Sequence, residues 1–160
     1  MPREEAVIRK ALLEFIQGAS AHASLQDAVK DFPAALYGEK PAGAPHTAWQ
    51  LLEHIRITLH DLVDFCRDPN YSAPPWPEGY WPKHDAPASP AEWTASVKAL
   101  RADLRHLEKI VEDSSVDLFA KIPWGDGQTV LREILLAGDH TSYHLGQLIM
   151  LRKQLGEWKS

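Results

Sequence analysis

The sequence predicts an all-α fold: a four-helix bundle with a long proline- and aromatic-rich crossover between its second and third helices. Three observations predict it. Four long segments repeat their apolar residues at helical spacing. Residue types that cap helices stand where most of those segments begin. Turn residues nowhere separate two alternating runs, as a strand pair would require. The chain has 160 residues, 44% hydrophobic and 24% charged, the ordinary make-up of a soluble globular unit. The whole of 1–160 reads as a single bundle domain.

The first helix covers residues 3–18, where Val7, Ile8, Ala11, Leu12, Phe15 and Ile16 recur at helical spacing. Residues 24–31 suit one short extra helix before Pro33. The second long helix covers 47–66. Thr47 with Gln50 three positions on makes a capping box, and Leu52, Ile55, Leu59, Leu62, Val63 and Cys66 form its apolar stripe. The third covers 90–112. Ser89 caps it, Pro90 suits the first helical position, and Glu92 is expected to close a second box. The fourth covers 129–155, with Gly156 as its stop. Between the last two, residues 113–128 form a loop around the turn signal PWGDGQ.

The crossover reads RDPNYSAPPWPEGYWPKHDAPASP. Seven of the chain's twelve prolines fall here: Pro69, Pro74, Pro75, Pro77, Pro82, Pro87 and Pro90. It cannot be helical, yet Tyr71, Trp76, Tyr80 and Trp81 make it too aromatic for a loose linker. It is expected to pack on the bundle. The second helix is about 30 Å long at 1.5 Å per residue. A connector of this size can span that length, so the second and third helices are expected to run parallel.

Charge and composition exclude several classes. Seventeen Lys and Arg against 22 Asp and Glu give a net charge of −5, with no basic block for nucleic acid. No apolar run approaches the roughly 18 residues of a membrane span. Arg9, Lys10 and Glu14 interrupt the first apolar stretch, which argues against a secretory signal. Cys66 is the only cysteine, so no internal disulfide can form and a reducing cytoplasm is expected.

Eight histidines remain to be sorted. His140 and His144 stand one turn apart in DHTSYHLGQL, with Leu135, Leu136, Leu145, Leu148 and Ile149 around them. Protonated, they would repel each other and resist burial. On a helical wheel both fall on the inner side of the last helix or its margin, and Asp139 falls outside. His54 lies at the edge of the apolar stripe of the second helix, and His60 lies among Glu53, Arg56 and Asp64 on its polar side. His106 sits in the charged stretch RADLRHLEK and reads as solvated. His22, His46 and His84 lie in loops or at helix ends, where sequence sets no direction.

Imidazoles at i and i+4 can converge on one cation, which also keeps them neutral. A third, His54, would complete a facial set of three with positions open for water or substrate, whereas closed structural sites use four protein ligands. The plainer alternative is a metal-free core in which these histidines are hydrogen-bonding groups.

The segments HTAWQLLEHIRITLHDLVDFCRDPNY, WPEGYWP, LREILLAGDHTSYHLGQLIMLRKQLGEW and the early GASAHASLQDAV together resemble the DinB-like (DinB/YfiT) family over almost the whole chain. The resemblance implies a four-helix bundle with a long crossover, a homodimer, and one divalent metal ion on His54, His140 and His144. The chain departs from the family pattern at His60, where a neutral polar residue is expected. The family's chemistry is mixed. It implies a metal-dependent enzyme, either a transferase using a low-molecular-weight thiol or a hydrolase of a small-molecule substrate. A non-catalytic metal-binding stress-response protein is the other expectation. The metal, whether Zn, Ni or Fe, is not set by imidazole ligands. Tyr143 and Gln147 lie near the same arc of the last helix and are expected to contact substrate, with solvent or helix packing as the plainer role. No residue stands out as a general base, since Glu53 is expected to point to the polar side.

Overall fold

The structure, a computed structural model, describes residues 3–18 and 21–158. Five α-helices follow one another among them: α1 (Arg3–Gln17), α2 (Leu25–Val29), α3 (Ala48–Arg67), α4 (Pro90–Glu112) and α5 (Val130–Gln154). Single 3-10 turns lie at Ala34–Leu36 and Glu78–Tyr80. No strand forms among the described residues; Lys121 and Thr129 make one isolated antiparallel bridge. Among the described residues no helix is long and apolar enough to cross a membrane.

α3 is the centre of the bundle because it is packed on both α4 and α5. Its start is fixed locally. The Thr47 hydroxyl accepts from Gln50 N–H while the Gln50 side chain accepts from Thr47 N–H. Glu53 meets Ser96 and His60 meets Asp103, each pair 43 residues apart, so α3 and α4 run parallel, as the crossover length requires. α5 returns antiparallel to α3: Leu51 and Leu151 line one cleft at one end, His54 meets His140, and Phe65 and Glu133 line another cleft at the other end. α1 closes the bundle against α4 and α5. The shared interior holds Leu52, Ile55, Leu59, Leu107, Ile134 and Leu148, all essentially sealed from solvent. Each such side chain contributes about 1.5–3 kcal/mol by leaving water.

The helix ends largely follow the residue types that announced them. Ser24 and Asp27 make a full capping box on α2. Gly156 adopts φ +76°, and the Gly156 and Glu157 N–H groups return to Lys153 and Arg152 carbonyls, a glycine-terminated end to α5. One expected box differs: Ser89 caps α4, but the Glu92 carboxylate accepts from Ala88 N–H, one residue before the cap, and does not close on Ser89. Of the apolar stripe on α1, Val7 stays largely exposed, and Phe15 is 39% exposed with its ring over Gly138 of α5. Leu135 on α5 is exposed likewise.

Two buried arginines tie segments together. Arg9 donates to the carbonyls of Val111, Asp113 and Val116 at and beyond the end of α4 and pairs with Glu5. Arg152 is bound by carbonyl oxygens, those of Asp27, Ala28 and Glu157, with its guanidinium over the rings of Phe32 and Trp158.

Candidate metal centre

α3 and α5 bring His54, His140 and His144 together, with one ring nitrogen of each within 4.8 Å of the others. The geometry begins with helix repeat. His140 and His144 share one face of α5, and antiparallel packing sets that face opposite His54. His54 and His144 are buried, at 5% and 8% exposure, and His140 is half-buried.

Two of the imidazoles are held by a hydrogen bond to an outer partner. His54 donates from Nδ1 to the Tyr80 carbonyl at 2.8 Å. His144 donates from Nδ1 to Gln147 Oε1 at 3.1 Å. In the neutral ring the other nitrogen, Nε2, then carries a lone pair. His54 Nε2 and His140 Nε2 stand 3.0 Å apart. Two lone pairs cannot face each other at that distance unaided: either His140 keeps its hydrogen on Nε2, or a cation is shared. Two nitrogens on one tetrahedral zinc stand about 3.3 Å apart, given bonds of about 2.0–2.1 Å. The His54–His140 spacing is close to this, and with the third nitrogen within 4.8 Å of both the donor set can hold a divalent cation.

Burial keeps these rings neutral. It pushes His140 down to about 4, helped by the charges of His144 and His54. Burial also lowers His54, against the raising effect of the Tyr80 carbonyl, and lowers His144, against that of Gln147. A consequence for stability follows. Above the ordinary value of 6.5 folded and unfolded chains are both neutral at this residue. As pH falls from 6.5 through about 4, the unfolded chain takes up protons first, so folding stability is lost with acid. Urea unfolding of chelator-treated protein should show the midpoint falling across this window. The fall should be smaller in His140→Gln; an identical pH profile would show that His140 does not titrate this way.

The crossover roofs the site. Trp81 lies on His54 with ring centroids 3.9 Å apart and planes 3° from parallel. His46 stacks on Trp81 at 4.2 Å. Trp81 thus packs on an imidazole of the site, while Trp76, on the same crossover, is among the most exposed large residues. Nothing in the sequence aims His46, Tyr80 or Trp81 at this site; the one signal is aromatic enrichment in a proline-rich segment. Tyr143 is exposed, its ring edge-on to His144 with centroids 4.8 Å apart. Gln147 lines a cleft of about 170 Å³ with Pro45, His46, Leu51 and Met150. A separate apolar cavity of about 190 Å³ lies between α1, α2, α4 and α5, lined by Leu104, Ala137 and Leu145 and by none of the three histidines.

Other polar residues fall outside the centre. His60 is exposed and pairs with Asp64 and Asp103 at 3.3 and 3.2 Å, on the seam with α4. Its wheel position away from the apolar stripe agrees. His106 is only half-exposed, its Nδ1 buried 3.6 Å from Asp103. Glu53 does not point to solvent as expected. It is 8% exposed, held by Arg56 at 2.7 and 2.8 Å and by the Ser96 hydroxyl. α3 is buried on two sides, so a single apolar stripe understates its interior. Cys66 is no candidate nucleophile, since burial pushes its thiol up to about 12.

A family model described as the DinB superfamily matches residues 17–148. No curated protein and no solved structure matches the chain.

Proposed function

The chain belongs to the DinB superfamily, and on that premise we propose that His54, His140 and His144 hold one divalent cation at the heart of a thiol-dependent transferase. The observation that carries this reading is the convergence of three neutral imidazoles, two of which already have their outward nitrogens engaged: His54 on Tyr80 and His144 on Gln147. A divalent cation on such a set supplies Lewis acidity and lowers the pKa of a bound thiol or water.

The chain's own residues do the rest. The Tyr80 carbonyl and Gln147 amide fix two tautomers, so both Nε2 atoms are free to face inward. Trp81 covers one face of His54 and excludes water there. The thiol comes from a small cosubstrate, because Cys66 is held protonated. Tyr143, exposed beside His144, is suited to flank that molecule, and the cleft bounded by His46, Leu51, Gln147 and Met150 to take its organic part. The protein is proposed to act as a cytoplasmic homodimer.

Cobalt substitution tests the reading. Low-molecular-weight thiols added to the cobalt protein should produce a sulfur-to-cobalt charge-transfer band that saturates at one thiol per chain. A cobalt protein that responds to no thiol would turn the assignment toward hydrolysis or simple metal binding. Failure to take up one cobalt per chain would remove the metal reading itself.

A further inference from the structure

The carbonyl that orients His54 belongs to a residue that grips α3 a second time, two turns further on. Tyr80 accepts from His54 Nδ1 with its backbone oxygen and donates its phenol to Asp61 Oδ2 at 2.8 Å. His54 and Asp61 are seven residues apart, about 10 Å along the helix and nearly on the same face. Tyr80 therefore lies along α3 as a splint, one end on the imidazole and the other on the carboxylate. Asp61 is shared: its Oδ1 accepts from the Tyr71 phenol at 2.7 Å. Both phenols remain protonated donors, because burial and the Asp61 carboxylate raise them, Tyr80 to about 12. Trp81, next in the chain, is laid flat on His54 by the same placement.

From this we propose that Asp61 and Tyr80 are positioning residues of the metal centre: the Asp61–Tyr80 hydrogen bond sets the crossover carbonyl that holds His54 in its metal-binding tautomer and orientation. The inference rests on the metal reading above. The side-chain hydrogen bonds of Asp61 go to Tyr71 and Tyr80 and not to the histidines. Asp61 acts through Tyr80, and its carboxylate is occupied by the two phenols.

Tyr71 supplies the control. Tyr71→Phe and Tyr80→Phe each delete one phenol from the same carboxylate, and neither removes a backbone carbonyl. Only Tyr80 carries the carbonyl bound to His54. Affinity for zinc or cobalt ions, measured by competition with a chromophoric chelator, should fall about 10–100-fold in Tyr80→Phe and in Asp61→Asn. Tyr71→Phe should stay within about twofold of the parent, with thermal midpoints of the two tyrosine variants lowered alike. The cobalt ligand-field spectrum should change in Tyr80→Phe and not in Tyr71→Phe. Unchanged affinity and spectrum in Tyr80→Phe would overturn the inference, as would equal losses in the two tyrosine variants that merely track stability. A parent protein that binds no cation would overturn the metal reading, and this inference with it. A parent that binds one cation with an indifferent Tyr80→Phe overturns this inference alone.

Discussion

His54→Ala is expected to strip the protein of its cation, whereas His60→Ala leaves it in place. Removing an outer hydrogen-bond partner of a ligand costs about 10–100-fold in affinity, so deleting a ligand should cost at least about 100-fold. Metal content of untagged protein should drop from one per chain to a small fraction. His140→Ala and His144→Ala should match His54→Ala, because each takes one of three nitrogens that lie within 4.8 Å of one another. His60 is only six positions from His54 but is committed to Asp64 and Asp103 on another seam, and its loss should change affinity less than about twofold. Equal losses in His54→Ala and His60→Ala would show that the third ligand is misassigned.

Arg152→Met should destabilise the fold by about 3–5 kcal/mol without touching the metal centre. Arg152 is buried, and its guanidinium ends on carbonyl oxygens of Asp27 and Ala28 at the close of α2, and of Glu157 after α5. Methionine would fill much of the space and keep contact with Phe32, but it would leave those carbonyls without their donor. Buried acceptors without partners are the larger cost. Arg152→Lys would keep the charge and still lose most of these hydrogen bonds, since an ammonium cannot span carbonyls on two segments as the planar fork does. Urea unfolding should show a lower midpoint at unchanged slope. A shift of less than about 1 kcal/mol would mean that α2 is held by its apolar residues alone.

Much of the bundle and of its candidate metal centre is legible in the sequence, and what is legible is local. Thr47, Ser89 and Gly156 announce helix ends because a cap is decided by a few neighbouring residues. His54, His140 and His144 can be aimed because helical periodicity fixes direction on each helix separately. The parallel course of α3 and α4 follows from the length of the connector. Glu53 escapes such a reading because a wheel has one apolar centre, while α3 has two packed sides and a carboxylate that accepts from Arg56 and the Ser96 hydroxyl. Glu92 finds the Ala88 amide in place of its own cap. Tyr80, Trp81 and His46 are beyond reach for a different reason. An irregular crossover has no period, so its composition says that its aromatics pack but not on what.

The connection between α3 and α4 also bears on how the molecule assembles. Two helices that run the same way cannot be paired by a tight turn. Contacts such as Glu53–Ser96 wait until 43 residues of chain have looped back, and His54–His140 until 86 have done so. Loop-closure entropy and high contact order slow such steps. The bundle is thus expected to fold slowly for a helical protein, and the His54–His140 contact to be among the last to form. A newly made chain would display the imidazoles on α5 before it owns a place to bind anything with them.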